Sequence, residues 1–177
     1  ELEEARDKVR WGRERRSMAM TDEDKKTTAW HEAGHALLNV LLEKCHPLHK
    51  VTIIPRGQAL GATMSLPKED VLNRQSKEMR ETIAMTMAGR IAEEIVTGDI
   101  STGASSDIKQ ATNMAHAMVT QWGMSDKLGM VLYGDSDEYV FLGKEISQNK
   151  TYSEQTAQQI DTEVRRLIDE GYKLAKG

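Results

Sequence analysis

Cysteine is nearly missing from this chain. Among 177 residues only Cys45 occurs, so no internal disulfide can form, a usage that fits a reducing compartment. Aromatic residues make up 5% while methionine occurs 10 times, which points to an adaptable helical interior rather than one built on large rings. No apolar run approaches the ~20 residues of a membrane span, and no signal-type segment opens the chain. An excess of positive charge is missing too: the net charge of −4 speaks against a nucleic-acid footprint. The phosphate-cradling pattern G-x-x-x-x-G-K-[ST] is absent, as are internal repeats and long low-complexity tracts. What remains is the length and composition of one ordinary domain, with at most an extra terminal element, able to bury a real core.

Histidine is scarce as well, five in all, yet two of them form His31-Glu32-Ala33-Gly34-His35. Residues four apart lie about 40° from each other around a 3.6-residue helix, so both imidazoles leave the same face and can hold one small cation. Zn²⁺ takes imidazole nitrogen readily. Glu32 would then sit beside the metal without binding it, placed to take a proton from an activated water. H-E-x-x-H on a helix is thus a metalloprotease pattern with a mechanism attached, against the plainer reading of two packed core histidines. The context is helical. Thr21 can cap a start, Asp22, Glu23 and Asp24 suit the first turn, and Ala29, Trp30, Ala33, Leu37, Val40 and Leu41 form one apolar stripe. The spacing predicts a helix from Asp22 to near Lys44, ending before Pro47.

The rest of the chain reads as an α+β domain, mainly α. Residues 1–20 are dense in charge, with Leu2, Ala5 and Val9 allowing a short helix that Gly12 interrupts; the arginines read as a solvated face on a connector. Cys45, His46 and His49 match no usual zinc spacing. Val51 to Ile54, β-branched throughout and bounded by Pro47 and Pro55, predicts a strand, and residues 62–66 a partner strand ending at Pro67. An exposed edge of such a hairpin can pair with the main chain of an extended peptide. A helix is predicted over Ser76–Thr97, with Met79, Ile83, Met87, Ile91 and Ile95 at steps of four and Gly98 as its stop. Another follows the small-residue loop 99–106, capped by Ser105 or Ser106, with Ile108, Ala111, Met114 or Ala115, Met118 and Trp122 on its stripe. Short strands are expected at Met130–Tyr133 and Tyr139–Leu142, and a last helix from Tyr152 with Ser153 as cap and Ala157, Ile160, Val164, Leu167 and Ile168 inward.

A catalytic zinc usually has three protein ligands plus water, and the pattern supplies two. Glu93 and Glu94 on the 76–97 helix are candidates for the third, although Arg90 beside them suggests a salt bridge instead. Asp107, in a first helical turn where a carboxylate also suits the macrodipole, is the other candidate. The residues after His35 exclude the H-x-x-G-x-x-H extension of metzincins, and nothing in spacing alone decides among the three.

Four stretches together carry a resemblance: 31–35, His-Lys-Val-Thr-Ile-Ile-Pro-Arg-Gly at 49–57, Gly-Arg-Ile-Ala-Glu-Glu at 89–94, and Ser-Thr-Gly-Ala-Ser-Ser-Asp-Ile at 101–108. With Val-Thr-Gln-Trp-Gly-Met-Ser at 119–125, they resemble the protease domain of FtsH-type membrane-anchored AAA+ zinc metalloproteases, in the same order along essentially the whole chain. The resemblance implies one Zn²⁺ held by His31, His35 and Asp107, with Glu32 as catalytic base. It also implies an edge strand, Gly61, Ala62, Thr63, Met64, Ser65 and Leu66, that receives the substrate backbone. Residues 1–20 would be the connector from an ATPase module and 21–177 the C-terminally truncated protease domain, the module and its transmembrane anchor lying upstream. The expected partners are unfolded polypeptides and five further copies in a homohexamer, with ATP acting only through the ATPase. The expected location is the cytoplasmic side of a bacterial inner membrane or an organelle membrane. Two rivals remain: a free-standing zinc peptidase with Glu93 or Glu94 as ligand, and a metal-free module that assembles a ring.

Overall fold

The helix that carries the histidines is α2, Asp22–Leu41. Its start is the expected one: the Thr21 hydroxyl accepts the Asp24 backbone N–H at 3.0 Å, and the Asp24 carboxylate accepts the Thr21 N–H at 3.3 Å, a reciprocal cap that satisfies two orphan donors. The computed structural model describes residues 2–15, 18–57, 59–67, 69–134 and 152–177. Before α2 lies α1, Leu2–Trp11, and after it a hairpin of β1, Leu48–Thr52, and β2, Ala62–Ser65. Then come α3, Ser76–Thr97, a 3₁₀ turn at Thr102–Ala104, α4, Ser105–Thr120, and α5, Glu154–Lys176. The expected α+β domain, mainly α with one small sheet, is the observed one.

The central element is α3, which touches α2, α4 and α5. Its four-residue apolar repeat holds over most of its length: Met79, Ile83 and Ile91 are buried and Met87 partly so, whereas Ile95 in the last turn is exposed. Gly98 ends the helix in the left-handed conformation (φ 74°), its N–H reaching the Glu94 carbonyl. Met79 and Ile83 join Ala111, Ala115, Met118 and Val119 of α4, Ile160 and Leu167 of α5, and Leu128 in one core. Each of the larger side chains is worth roughly 1.5–3 kcal/mol of burial. Ser153 caps α5 as expected, and the predicted inward face of that helix is the buried one. Two glycines set the helix spacing around α3. A Cβ on Gly34 would lie 2.4 Å from the Ala88 carbonyl oxygen, and one on Gly171 would lie 2.7 Å from Ile83 Cγ2.

The two strands pair antiparallel, with Val51 opposite Thr63 and Thr52 opposite Ala62, and both pack against α2. The hairpin is shifted from expectation: Ile53 and Ile54 lie beyond β1, half-exposed, because the chain turns there to meet the N-terminal segment. Arg15 N–H donates to the Pro55 carbonyl at 2.9 Å, and Glu14 bridges Arg56. In α1 the apolar Leu2 and Val9 point outward, while Asp7 is the buried residue, paired with Lys50 of β1 at 2.6 Å.

Four further expectations are corrected. The apolar stripe of α2 faces out: Trp30, Leu37, Val40 and Leu41 are 48%, 58%, 67% and 69% exposed, whereas Thr28, Glu32, His35 and Asn39 are buried. The helix also stops at Leu41 rather than near Lys44, where the Lys44 N–H instead donates to Glu81. On α4 the cap position is Ala104, after a 3₁₀ turn that Ser101 caps, and Ile108 and Trp122 are half-exposed rather than inward. Met130–Tyr133 is irregular, not a strand, with the Tyr133 hydroxyl folded back onto the Leu128 carbonyl. The strand expected at Tyr139–Leu142 lies outside the described residues.

Candidate metal centre

Three elements converge on one point. From the middle of α2, His31 and His35 bring their Nε2 atoms to 3.0 Å from each other. From the first turn of α4, Asp107 places Oδ2 at 3.1 Å from His31 Nε2 and 3.5 Å from His35 Nε2. Behind them, α3 presents Gly89, the one residue type that leaves room. A Cβ there would stand 2.5 Å from His35 Nε2 and 2.6 Å from His31 Nε2.

The outer nitrogens fix what the inner ones can do. His35 Nδ1 lies 2.8 Å from the Met85 carbonyl, which can only accept, so this nitrogen carries a hydrogen. His31 Nδ1 donates to Glu93 Oε1 at 2.7 Å. In neutral rings both Nε2 atoms then offer lone pairs toward each other and toward a carboxylate oxygen. Such a set of facing acceptors calls for positive charge at its centre. The charges around the histidines act in the same sense. Burial pulls the His31 pKa down, but Asp107, Glu93 and Glu32 outweigh it and the net direction is up. Burial likewise opposes the Asp107 carboxylate, and the two histidines hold it down at about 2. Two imidazole nitrogens and one carboxylate oxygen with fixed tautomers are a donor set suited to zinc, and the imidazole–carboxylate support behind His31 is the usual outer partner of such a ligand.

Glu32 does not join the three. Its carboxylate turns to the hairpin, where Thr63 Oγ1 donates to Oε2 at 2.6 Å. The site residues named from sequence therefore separate into a converging trio, an adjacent carboxylate, and a strand beside it. Of Gly61, Ala62, Thr63, Met64, Ser65 and Leu66, the middle four form β2. Glu93 is not the third member of the cluster but the partner of His31 Nδ1 and, through Oε2, of the Ser101 N–H. Glu94 faces away, toward Arg90, Tyr172 and Lys176. Among the described residues no second group of three metal-ligating side chains comes together. Cys45 is half-buried, its thiol pushed up to about 11 by burial and by the charges of Glu81 and Glu78.

Sequence reasoning missed the roles of Gly89 and of the Thr63 side chain. An isolated glycine within a helical pattern is a signal of close approach, and Gly89 carries it. Thr63 has no comparable signal, because its partner is 31 residues away and depends on the hairpin register. The Met85 carbonyl, being main chain, leaves no trace in the sequence.

Comparison with known proteins gives the family. The chain is 60% identical over 176 residues to "ATP-dependent zinc metalloprotease FtsH 2" of Methylacidiphilum infernorum, covering 99% of this chain and 28% of that protein. It is 56% identical to the protein named ATP-dependent zinc metalloprotease FtsH in Myxococcus xanthus, with the same coverage. To the one so named in Haemophilus influenzae it is 49% identical over 178 residues, again 99% of this chain and 28% of the relative. The chain thus spans little more than a quarter of the length of these relatives. Residues 18–177, which include the two histidines, the aspartate and the adjacent glutamate, match the model of peptidase family M41, and the chain belongs to that family.

Proposed function

We propose that this chain is the proteolytic domain of an ATP-dependent zinc metalloprotease, with His31, His35 and Asp107 as the protein ligands of one Zn²⁺ and Glu32 as general base. The observation that carries the reading is the convergence of two tautomer-fixed Nε2 atoms and one carboxylate, with Glu32 adjacent but outside the cluster. Bound there, zinc would supply Lewis acidity, lowering the pKa of water to about 7 and polarising a carbonyl. Glu32 takes the proton from the attacking water on its carboxylate and later delivers it to the leaving amine nitrogen. Neither glutamate of the free-standing-peptidase alternative supports a ligand role, since Glu93 is spent on His31 and Ser101 and Glu94 points elsewhere.

The substrate in this reading is an extended, unfolded polypeptide. Strand β2 pairs with β1 on one side and has no other strand neighbour among the described residues. Its outer edge, from Gly61 through Leu66, offers main-chain groups to a peptide beside Glu32, and backbone pairing makes cleavage only loosely sequence-specific. Residues 1–20 would connect this domain to an upstream ATPase module, which would deliver substrate to a homohexamer held at the cytoplasmic face of a membrane. Among the described residues no helix is long and apolar enough to cross a membrane.

The test is elemental analysis of zinc after dialysis, together with cleavage of an unstructured peptide. The native chain is expected to hold about one zinc, Asp107→Ala much less, and Glu32→Gln to keep its zinc while losing cleavage. A native chain without zinc after reconstitution, or a Glu32→Gln variant that cleaves normally, would sink the reading.

A further inference from the structure

From the contacts of its hydroxyl we infer that Thr63 is a positioning residue for Glu32, fixing which carboxylate oxygen handles the proton; this rests on the proposed peptidase reading. The hydroxyl has one hydrogen, and at 2.6 Å Oε2 of Glu32 is its acceptor; the Glu32 main-chain oxygen lies at 3.1 Å from the same Oγ1. A short hydrogen bond from one threonine thus restrains the carboxylate in position and in rotation. Glu32 is 94% buried, and no other hydrogen bond to its carboxylate is found among the described residues, so its orientation depends on Thr63.

The second half of the device is Gly61. A Cβ there would stand 2.8 Å from both Cγ and Oε1 of Glu32 and 2.9 Å from Thr28 Cγ2. The two carboxylate oxygens are therefore unlike: Oε2 is occupied by the Thr63 hydroxyl, and Oε1 lies over the bare main chain of Gly61. Oε1 is the oxygen left to take the water proton and return it to the amine nitrogen, while Oε2 keeps its donor throughout. Because Thr63 sits within β2, the strand proposed to hold the peptide also aims the base that cuts it. Its register with Val51 of β1 sets both at once.

Thr63→Val keeps the shape and removes the donor; Thr63→Ser keeps the donor and removes a methyl. With the zinc-loaded protein and an unstructured fluorogenic peptide, Thr63→Val should lose about tenfold to a hundredfold in kcat, the range seen for outer-shell orienting partners. KM should stay within about twofold, since what is lost acts in the transition state. Thr63→Ser should recover most of that rate, and both variants should retain one zinc per chain by elemental analysis and a native melting temperature. An unchanged kcat in Thr63→Val overturns the proposal, as does a rise in KM alone, which would make Thr63 a substrate contact. A Thr63→Ser variant as slow as Thr63→Val overturns it too. If the native zinc-loaded protein does not cleave the peptide, the peptidase reading fails and this proposal falls with it; native cleavage with an indifferent Thr63 removes this proposal alone.

Discussion

Glu93 shows how much one buried carboxylate can organise without touching a metal. Its Oε1 fixes the tautomer of His31 at 2.7 Å, and its Oε2 accepts the Ser101 N–H at 3.1 Å, at the loop that leads into α4 and Asp107. One residue of α3 therefore joins the α2 and α4 contributions to the cluster. Glu93→Gln should weaken zinc binding by about tenfold to a hundredfold, measured by competition with a chromophoric chelator. Glu93→Ala should weaken it further and also lower stability by roughly 1 kcal/mol, the net worth of the hydrogen bond lost from the exposed Ser101 N–H. Unchanged zinc affinity in both variants would show that His31 needs no partner. The exposure of the glutamates was not visible in sequence: Arg90 and Glu93 have the spacing of a surface pair, yet Arg90 bonds Glu94 and leaves Glu93 to the interior.

At the scale of the helices, Gly89 separates local propensity from function. Alanine favours a helix interior by about 1 kcal/mol over glycine. Here its methyl would fall 2.5–2.7 Å from the His31 and His35 rings, in the space between the imidazoles and α3. Gly89→Ala is expected to keep the helical circular dichroism and lose zinc; a variant that still binds one zinc per chain would contradict the steric role. The same helices show what was legible beforehand. For α3 and α5 the apolar repeat gave most of the limits and of the buried face, but not the carboxylates buried among it, Glu93 on α3 and Glu163 on α5. For α2 the start was legible from the Thr21 cap, but the burial pattern was inverted: its inward face carries Thr28, Glu32, His35 and Asn39, two of them residues of the site. Where chemistry needs the interior, the hydrophobic rule reports the wrong side of the helix. The trio itself was legible in part, its two histidines from spacing and Asp107 only through resemblance, because its closeness to α2 is a property of how α4 docks.

Across the whole molecule, ion pairs tie the terminal elements to the central ones, and each has a distinct signature. Asp7 of α1 is buried while Lys50 of β1 is one-third exposed. Lys50→Ala should therefore lower the melting temperature more than Asp7→Ala, since the first strands a buried carboxylate and the second frees a lysine that reaches water. Equal losses would mean the pair adds nothing beyond packing. Glu163 of α5 is buried too, and it gathers Arg166, Ser125 and Lys127, joining α5 to the loop after α4. Hydrogen bonding from Arg166 leads, burial opposes, and Ser125 and Lys127 add to the lowering, so the carboxyl sits at about 2 against an ordinary 4.5. A folded-state pKa below the unfolded one gives stability that is fully present above about pH 4.5 and is lost as the pH falls toward 2. The shift corresponds to about 3 kcal/mol at most. Melting curves from pH 7 to pH 2.5 should therefore fall more steeply for the native chain than for Glu163→Gln, which has no such proton to gain. The two curves share every other depressed carboxylate, Asp107 included, so their difference isolates this one contact. Parallel curves would mean that this contact adds nothing to the packing of Ile160 and Leu167 against Ile83 and Met79.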